Sequence, residues 1–433
     1  MAGQGRATGW RKRLVKRIAC PSCWHEFPPE DVMYISRSGD LRGDPVLGAD
    51  EFRRFRPVHF TVAGEAVDNR GIATTLLACP RCHLPIHELL AEVPPLFISL
   101  IGPPASGKSY FLATMVYGLR TNVLPAAGLR LQDADPAANS IIRDYEDILF
   151  SNPQPDKPTE IPKTDPTSPQ LYRRATIDGM EVRFPLPFQF SIWPTEEHPS
   201  YAEAERIGRV LVLYDNAGED FLPGSSELNS EAVRHLAQSD ILLMMFDPTQ
   251  EMRLHEFCKS GDPQVAHGIH PDGRGPVIAR QETILTEAAK RMRNYLHMSH
   301  TEPLGKPIIV VVPKFDALGD LPDVSIDVEP YVQARDDHLI RLDMPRVEEV
   351  SDNVRQFLKQ KCPDFVATAE SLSNMVRYIP VSSLGCSPVR VTDGDRRFYG
   401  VRPMDIRPKW VTVPMLYCMT RWADVILRQD SSK

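Results

Sequence analysis

Short runs of aliphatic and β-branched residues recur along this chain, and each ends in small or polar residues. Leu96–Ile101, Arg209–Tyr214, Ile241–Phe246, Pro307–Val312 and Arg377–Val381 are the clearest. They show no alternation of apolar and polar positions, which is the pattern of strands buried on both faces. Between them the period changes. Tyr110–Arg120 reads as a helix, and in Gln281–Leu296 the residues Ile284, Leu285, Ala288, Met292 and Leu296 fall on one helical stripe. Met415, Met419, Trp422, Val425 and Ile426 predict a closing helix over Pro414–Leu427. Buried strands alternating with helices predict an α/β domain, a mostly parallel sheet flanked by helices.

Before residue 94 the pattern is different. Asp31–Ile35, Pro57–Val62 and Thr74–Leu77 are short β-rich stretches, bracketed by Cys20-Pro21-Ser22-Cys23 and Cys79-Pro80-Arg81-Cys82. Each C-x-x-C puts two thiolates on a tight turn, and two such turns complete a tetrahedral Cys₄ zinc site. The stretch between the knuckles is longer than a simple ribbon needs, so residues 20–93 read as a zinc-ribbon-like β module with an insertion. A redox pair is the competing reading, but it belongs in a thioredoxin-like βαβ setting, which is missing here. His25, His83 and His87 lie close enough in sequence to substitute as ligands. With four cysteines present, Cys20, Cys23, Cys79 and Cys82 are the expected set, closed and structural. Cys258, Cys362, Cys386 and Cys418 show no ligand spacing.

Composition changes the picture little. The chain has 433 residues, is 42% hydrophobic and 25% charged, and carries a net charge of −7. That balance argues against a general polyanion binder. Residues 1–19 are the exception, with Arg6, Arg11, Lys12, Arg13, Lys16 and Arg17 and no acid. They read as a frayed solvated terminus or as a contact for nucleic acid or an anionic surface. No apolar run approaches the ~18 residues that span a bilayer, and no secretory core is visible at the start. A cytoplasmic location is the expectation.

The chemistry sits where the strand-like runs end. Gly102-Pro103-Pro104-Ala105-Ser106-Gly107-Lys108-Ser109 is a full G-x-x-x-x-G-K-[ST] run between a strand and a helix. In that setting the glycines let the backbone wrap a phosphate, and the N–H groups at the start of the helix, Tyr110 included, face it. Lys108 is the expected catalytic cation at the β- and γ-phosphates, and Ser109 a Mg²⁺ ligand. Asp215, at the tip of the next strand, takes the position of a second Mg²⁺ ligand. Gly218 completes D-x-x-G, and Glu219 follows it as the candidate residue for holding the attacking water.

Taken in order, Gly102–Ser109, Asp215–Gly218, Pro313–Asp316 and Ser382–Leu384 resemble the four signatures of the translation-factor-related class of P-loop GTPases. The resemblance covers roughly residues 95–430. It implies that Asp316 accepts hydrogen bonds from the guanine edge and that Lys314 packs along the base. It also implies that the backbone near Ser382, Ser383 and Leu384 meets the guanine carbonyl. Two departures stand out. Pro313 replaces an Asn or Thr and has no amide with which to tether the phosphate loop. Glu219 stands where a glutamine is common. The pairing of zinc knuckles with these motifs is similar to bacterial GTPases of conflict and signalling systems, of the double-GTPase type, though only one such loop is present here.

The expected organisation is a basic segment at 1–19, the zinc module at 20–93 and the GTPase-like domain at 94–433, with long insertions near 121–208 and 249–278. The first insertion holds the proline-rich stretch 152–169. Thr164 and Thr167 are its candidate switch threonines, and Arg173 or Arg174 could lend charge to the transition state. The function these residues suggest is a Mg²⁺-dependent GTPase that binds GTP and GDP and switches an unidentified protein partner. An ATPase or P-loop kinase is the alternative. A non-enzymatic scaffold stabilised by zinc and nucleotide is a further one.

Overall fold

The computed structural model describes residues 14–162, 172–216, 221, 230–265, 280–321, 323–334, 338–394 and 396–423. The chain divides into two compact units. The first takes in residues up to Pro95 together with Arg174–Phe184 and Gly208–Val210. The second takes in Leu96–Arg173, Pro185–Ile207 and Leu211 onward. Sequence order alone assigned Arg174–Phe184 to the larger domain. In the structure the antiparallel ribbon Tyr172–Ile177 with Met180–Pro185 brings Thr176 N against the Val46 carbonyl at 2.7 Å, within the first unit.

The second unit is built on a seven-stranded sheet. Its strands are β1 (Pro95–Ile101), β2 (Leu129–Asp133), β3 (Phe188–Pro194), β4 (Arg209–Asp215), β5 (Ile241–Met245), β6 (Ile308–Val312) and β7 (Val376–Pro380), in the order β2-β3-β4-β1-β5-β6-β7. β1 pairs parallel with β5, β5 with β6, and β6 with β7, whereas β2 pairs antiparallel with β3. Every residue of β5 and β6 is buried, as unbroken Ile, Leu, Met and Val runs require. The edge strand β2 alternates instead, with Leu129 and Leu131 buried and Arg130 and Gln132 exposed.

The longer helices among the described residues are α1 (Lys108–Gly118), α2 (Ser140–Phe150), α3 (Ser230–Gln238), α4 (Gln281–Tyr295), α5 (Met344–Lys361), α6 (Pro363–Leu372) and α7 (Val413–Trp422). In α1 six consecutive residues, Phe111 to Val116, are buried, so this helix runs through the core and carries no polar stripe there. In α4 the stripe Ile284, Leu285, Ala288 and Met292 is buried, as its spacing predicts. The helix expected over 414–427 is described as far as Trp422, and residues 424–433 lie outside the described part.

The strand order turns at β1. Chain elements spread from it toward β2 on one side and toward β7 on the other, so the carboxyl end of β1 is a topological switch point, where open α/β sheets hold their ligands. Gly102 follows β1 there. A Cβ on it would lie 2.5 Å from the Met245 Cβ on β5, so close strand packing demands glycine. Gly385, in the loop after β7, is left-handed (φ 71°), and a Cβ there would collide with the Arg407 carbonyl.

That collision separates two kinds of left-handed glycine. Gly385→Ala is expected to lose about 3 kcal/mol of stability, from strain plus backbone overlap. Gly305→Ala, also left-handed but with nothing within 4 Å, is expected to lose about 1 kcal/mol. Urea denaturation of both variants checks this, and equal losses would remove the Arg407 contact as the cause.

Candidate functional site

The loop between β1 and α1 has Ala105 and Gly107 in left-handed backbone, φ 59° and 86°, on either side of Ser106. Alternation of this kind is how a chain forms an anion nest. Ser106 N donates to the Pro103 carbonyl at 3.3 Å, and Phe111 N begins the helix on the Gly107 carbonyl at 2.9 Å. The Lys108 ammonium folds onto the loop itself and donates to the Gly102 and Pro103 carbonyls at 3.0 and 3.1 Å. Ser106 Oγ is buried with no hydrogen-bond partner among the described residues. Tyr110, one turn on, uses its hydroxyl to accept Ile161 N at 3.1 Å. Burial is the chief cause of its raised pKa.

Pro313 withholds an amide from this loop, and two other side chains hold it. Gln250 Nε2 donates to the Pro104 carbonyl at 2.9 Å, and Lys314 Nζ donates to the Ala105 carbonyl at 3.0 Å. Both converge on Asp247 at the tip of β5, which is fully buried. Asp247 Oδ2 accepts Lys314 Nζ at 2.6 Å and Gln250 Nε2 at 3.0 Å; Oδ1 accepts Thr249 N and Oγ1 at 2.9 and 2.7 Å. Its backbone is clamped in turn by the Gln281 amide, which receives Asp247 N and donates to Asp247 O, both at 2.8 Å. Lys314 is left-handed (φ 52°), which directs its stem back over the loop: Cε lies 3.9 Å from where a Gly107 Cβ would be.

Asp316 stands two residues beyond Lys314. Ser382 Oγ donates to its Oδ1, and Gln264 Nε2 donates to its Oδ2 at 3.3 Å. Ser382 Oγ also accepts Gly385 N at 2.8 Å. Arg407 N holds the Leu384 carbonyl at 2.7 Å, and Ser382 and Lys409 exchange a bridge of backbone hydrogen bonds. Ser383 is buried between them in sequence. Burial pushes the Asp316 carboxyl above the usual aspartate range, and the Ser382 hydrogen bond opposes it. On the other side of β1, Asp215 closes β4. The buried Asn216 pins that tip with its backbone and side-chain N–H groups, both 3.1 Å from the Leu100 carbonyl.

The structure therefore brings Gly102–Tyr110, Lys314, Asp316 and Ser382–Leu384 to neighbouring strand ends of one sheet, with Asp215 at the end of β4. Gly218, Glu219, Thr164 and Thr167 lie outside the described residues, as do residues 1–13 of the basic segment. Arg174 sits in the ribbon and pairs with Glu181 at 3.3 Å. The sequence reading missed Asp247, Gln250, Gln264, Gln281 and Asn216. Asp247-Pro248-Thr249 did carry a turn-capping signal. Gln264 and Gln281 carried none.

In the first unit the four cysteine sulfurs converge within 4.8 Å of one another, all buried. Cys20 and Cys82 sulfurs are 3.7 Å apart, as are those of Cys23 and Cys79. A tetrahedron of Zn–S bonds of about 2.3 Å has edges of about 3.8 Å, so the cluster is sized for zinc. The two knuckles match in backbone. Trp24 N returns to the Cys20 carbonyl and His83 N to that of Cys79, with Trp24 and His83 left-handed at φ 57° and 60°. Burial pushes the Cys20 thiol up, while hydrogen bonds from Cys20, Cys23 and Cys82 pull Cys79 far below the thiol range. His83 is a support: its Nδ1 lies 2.9 Å from the buried Asp44 carboxylate.

No family model matches the chain. Over 252 residues, 57% of this chain, it is 28% identical to a Mycolicibacterium smegmatis protein described as a candidate ESX-1 scaffolding and assembly protein, SaeC; the match spans 53%, about half, of that protein's length. Among solved structures, Era of Aquifex aeolicus bound to GDP·AlF₄⁻ aligns over 67% of this chain and 52% of its own, at 14% identity and TM-score 0.23. Translation elongation factor SelB of Methanococcus maripaludis, with a GTP analogue, aligns over 67% and 30%, at 9% and 0.22. The signal recognition particle receptor SRβ–GTP/SRX complex of Chaetomium thermophilum aligns over 70% and 94%, at 12% and 0.25. At TM-scores this low the superpositions decide nothing about fold or function.

Two measurements follow from this geometry. Elemental analysis is expected to give one zinc per chain, lost in Cys79→Ser together with a drop in the melting temperature; melting unchanged by a chelator would mean that the cluster stands without metal. The folded chain holds the Asp316 proton more tightly than the unfolded chain does. Its contribution to stability therefore falls as pH rises from the ordinary aspartate range through the raised value. Asp316→Asn is expected to flatten that part of the stability curve, measured by thermal denaturation between about pH 4 and pH 7.

Proposed function

We propose that the second unit binds a guanine nucleoside triphosphate with Mg²⁺, hydrolyses it to GDP and phosphate, and uses the bound state to govern engagement of a protein partner. One arrangement carries the reading: Lys314 lies along a glycine-rich loop at the switch point, while Asp316 waits at the same strand end. A nucleotide has its phosphates at one end and its base at the other, and the lysine stem supplies the surface between them.

In this reading the Gly102–Ser109 amides cradle the phosphates, and the start of α1, through Tyr110, adds its N–H groups. The orphaned Ser106 hydroxyl supports an anion in the loop, since a buried donor without an acceptor is costly and a phosphate oxygen would satisfy it. Lys108 exchanges its loop carbonyls for phosphate oxygens. Ser109 and Asp215 are the residues that would hold Mg²⁺, which supplies charge neutralisation at the phosphates. Asp316 accepts the donors of the guanine edge, and the Ser383–Leu384 backbone faces its carbonyl. Glu219 orients the attacking water. Catalysis then rests on positioning and electrostatics. Zinc in the Cys20, Cys23, Cys79 and Cys82 cluster would be structural, because four protein ligands leave no open position.

Residues 1–19 are proposed as a contact for nucleic acid or an anionic surface, and a cytoplasmic site of action remains the expectation. Among the described residues no helix is long and apolar enough to cross a membrane. A scaffold that holds nucleotide without turnover is the second reading. It is favoured by the partial match to a protein described by its scaffolding and assembly role.

Fluorescent GTP bound to the chain is expected to be displaced by GTP and GDP and not by ATP. Lys108→Ala is expected to weaken GTP binding about tenfold to a hundredfold, the range for a hydrogen-bonded charge. Displacement by ATP as readily as by GTP would reject guanine specificity. Tight GTP binding with no phosphate release would favour the scaffold.

A further inference from the structure

The acceptor assigned to the guanine edge already has a donor of this chain's own. Ser382 occupies Oδ1 of Asp316, and Gln264 Nε2 reaches Oδ2 at 3.3 Å. The segment that delivers Gln264 is docked at several points. Lys259 N donates to the Ala317 carbonyl and Gly319 N to the Phe257 carbonyl, both at 2.8 Å, next to Asp316 in the chain. Cys258 and Leu318 form an antiparallel bridge. Asp262, only 5% exposed, accepts the Ser387 hydroxyl on Oδ2 and Gln264 N on Oδ1 at 2.8 Å. Val265 N returns to the Asp262 carbonyl at 3.0 Å. Gln264 therefore leaves a built turn with its amide on the carboxylate.

A carboxamide N–H and the N–H groups of guanine are neutral donors of the same kind, and a carboxylate accepts either. We propose that Gln264 is an internal stand-in for the guanine edge: the segment Lys259–Val265 closes the base seat, and guanine enters by displacing the Gln264 amide from Asp316 Oδ2. This rests on the nucleotide reading above and deepens it. Selection between bases then falls to the carboxylate. Guanine brings N–H donors that replace the hydrogen bond it breaks. Adenine presents a ring-nitrogen acceptor at the corresponding edge, so its entry leaves the carboxylate short of a donor. Either base must displace the Gln264 amide, so Gln264 sets how tightly and how fast the seat is filled, while the choice between bases belongs to the Asp316 carboxylate. The phosphate loop keeps its own tethers through Gln250 and Lys314, so the base seat can open without disturbing it.

The test uses the full chain as wild type, Gln264→Ala and Gln264→Glu, with fluorescent GDP followed by stopped flow and inorganic tripolyphosphate as a probe of the phosphate loop alone. Melting temperatures of the three proteins verify folding. Gln264→Ala is expected to bind GDP about tenfold tighter, mainly through faster association, since one hydrogen bond to a charged acceptor no longer has to be broken. Gln264→Glu sets a second carboxylate against Asp316 and is expected to move GDP binding the same way. Tripolyphosphate affinity is expected to be equal in all three. GDP affinity that is unchanged or weaker in folded Gln264→Ala would overturn the stand-in while leaving the nucleotide reading intact. Tripolyphosphate binding without GDP binding in all three would overturn guanine recognition itself, and the stand-in with it.

Discussion

The buried carboxylate of Asp247 is the constraint on which the rest of the second unit's upper edge depends. Its two oxygens receive four donors, from Thr249 twice, Gln250 and Lys314. That fills the lone pairs of a carboxylate. Burying a charge is tolerable only with such saturation, and taking away one charged partner typically costs about 3–5 kcal/mol. What the ion pair contributes is direction more than stability. It pulls Lys314 off a left-handed backbone and lays it on the Ala105 carbonyl, and it aims Gln250 at Pro104. Three strand ends, those of β1, β5 and β6, are registered by this one group.

Glycine sets the second constraint. Gly102 is needed because Met245 on β5 leaves no room for a Cβ, and Gly385 because the Arg407 carbonyl fills that space. Within the phosphate-loop motif Gly102 serves strand packing, and Gly107, with its left-handed backbone, serves the loop's own shape. A motif whose glycines look equivalent in sequence thus divides among separate physical tasks. The first unit solves a different problem. Its strands are short, and four thiols at tetrahedral spacing supply the convergence that a small core does not.

Much of this was legible from residue order. Unbroken aliphatic runs marked β1, β4, β5, β6 and β7, because a strand covered on both faces has no polar alternation. The paired C-x-x-C turns marked a four-sulfur cluster, because two such tight turns supply the four ligands of a tetrahedron. Boundaries shifted where tertiary contacts rule: Pro57–Val62 forms a strand only at His59–Phe60. The loss expected from Pro313 was read from one residue alone. It is made good by Gln250, sixty-odd positions earlier, whose role no local pattern could announce.

The order of residues by itself determined the strands β1, β4, β5, β6 and β7 and the helices α1, α4 and α7, which loop can wrap an anion, and which cysteines can share a metal. Those follow from periodicity, backbone freedom and ligand chemistry, all of which act over a few residues. Only the tertiary structure decided that Asp247, Gln281, Gln250 and Lys314 form one network, and that Gln264 shares Asp316 with Ser382. Such pairings join residues separated by as many as 209 positions. They depend on the direction in which each side chain leaves its backbone, a property that exists once the strands are stacked and not before.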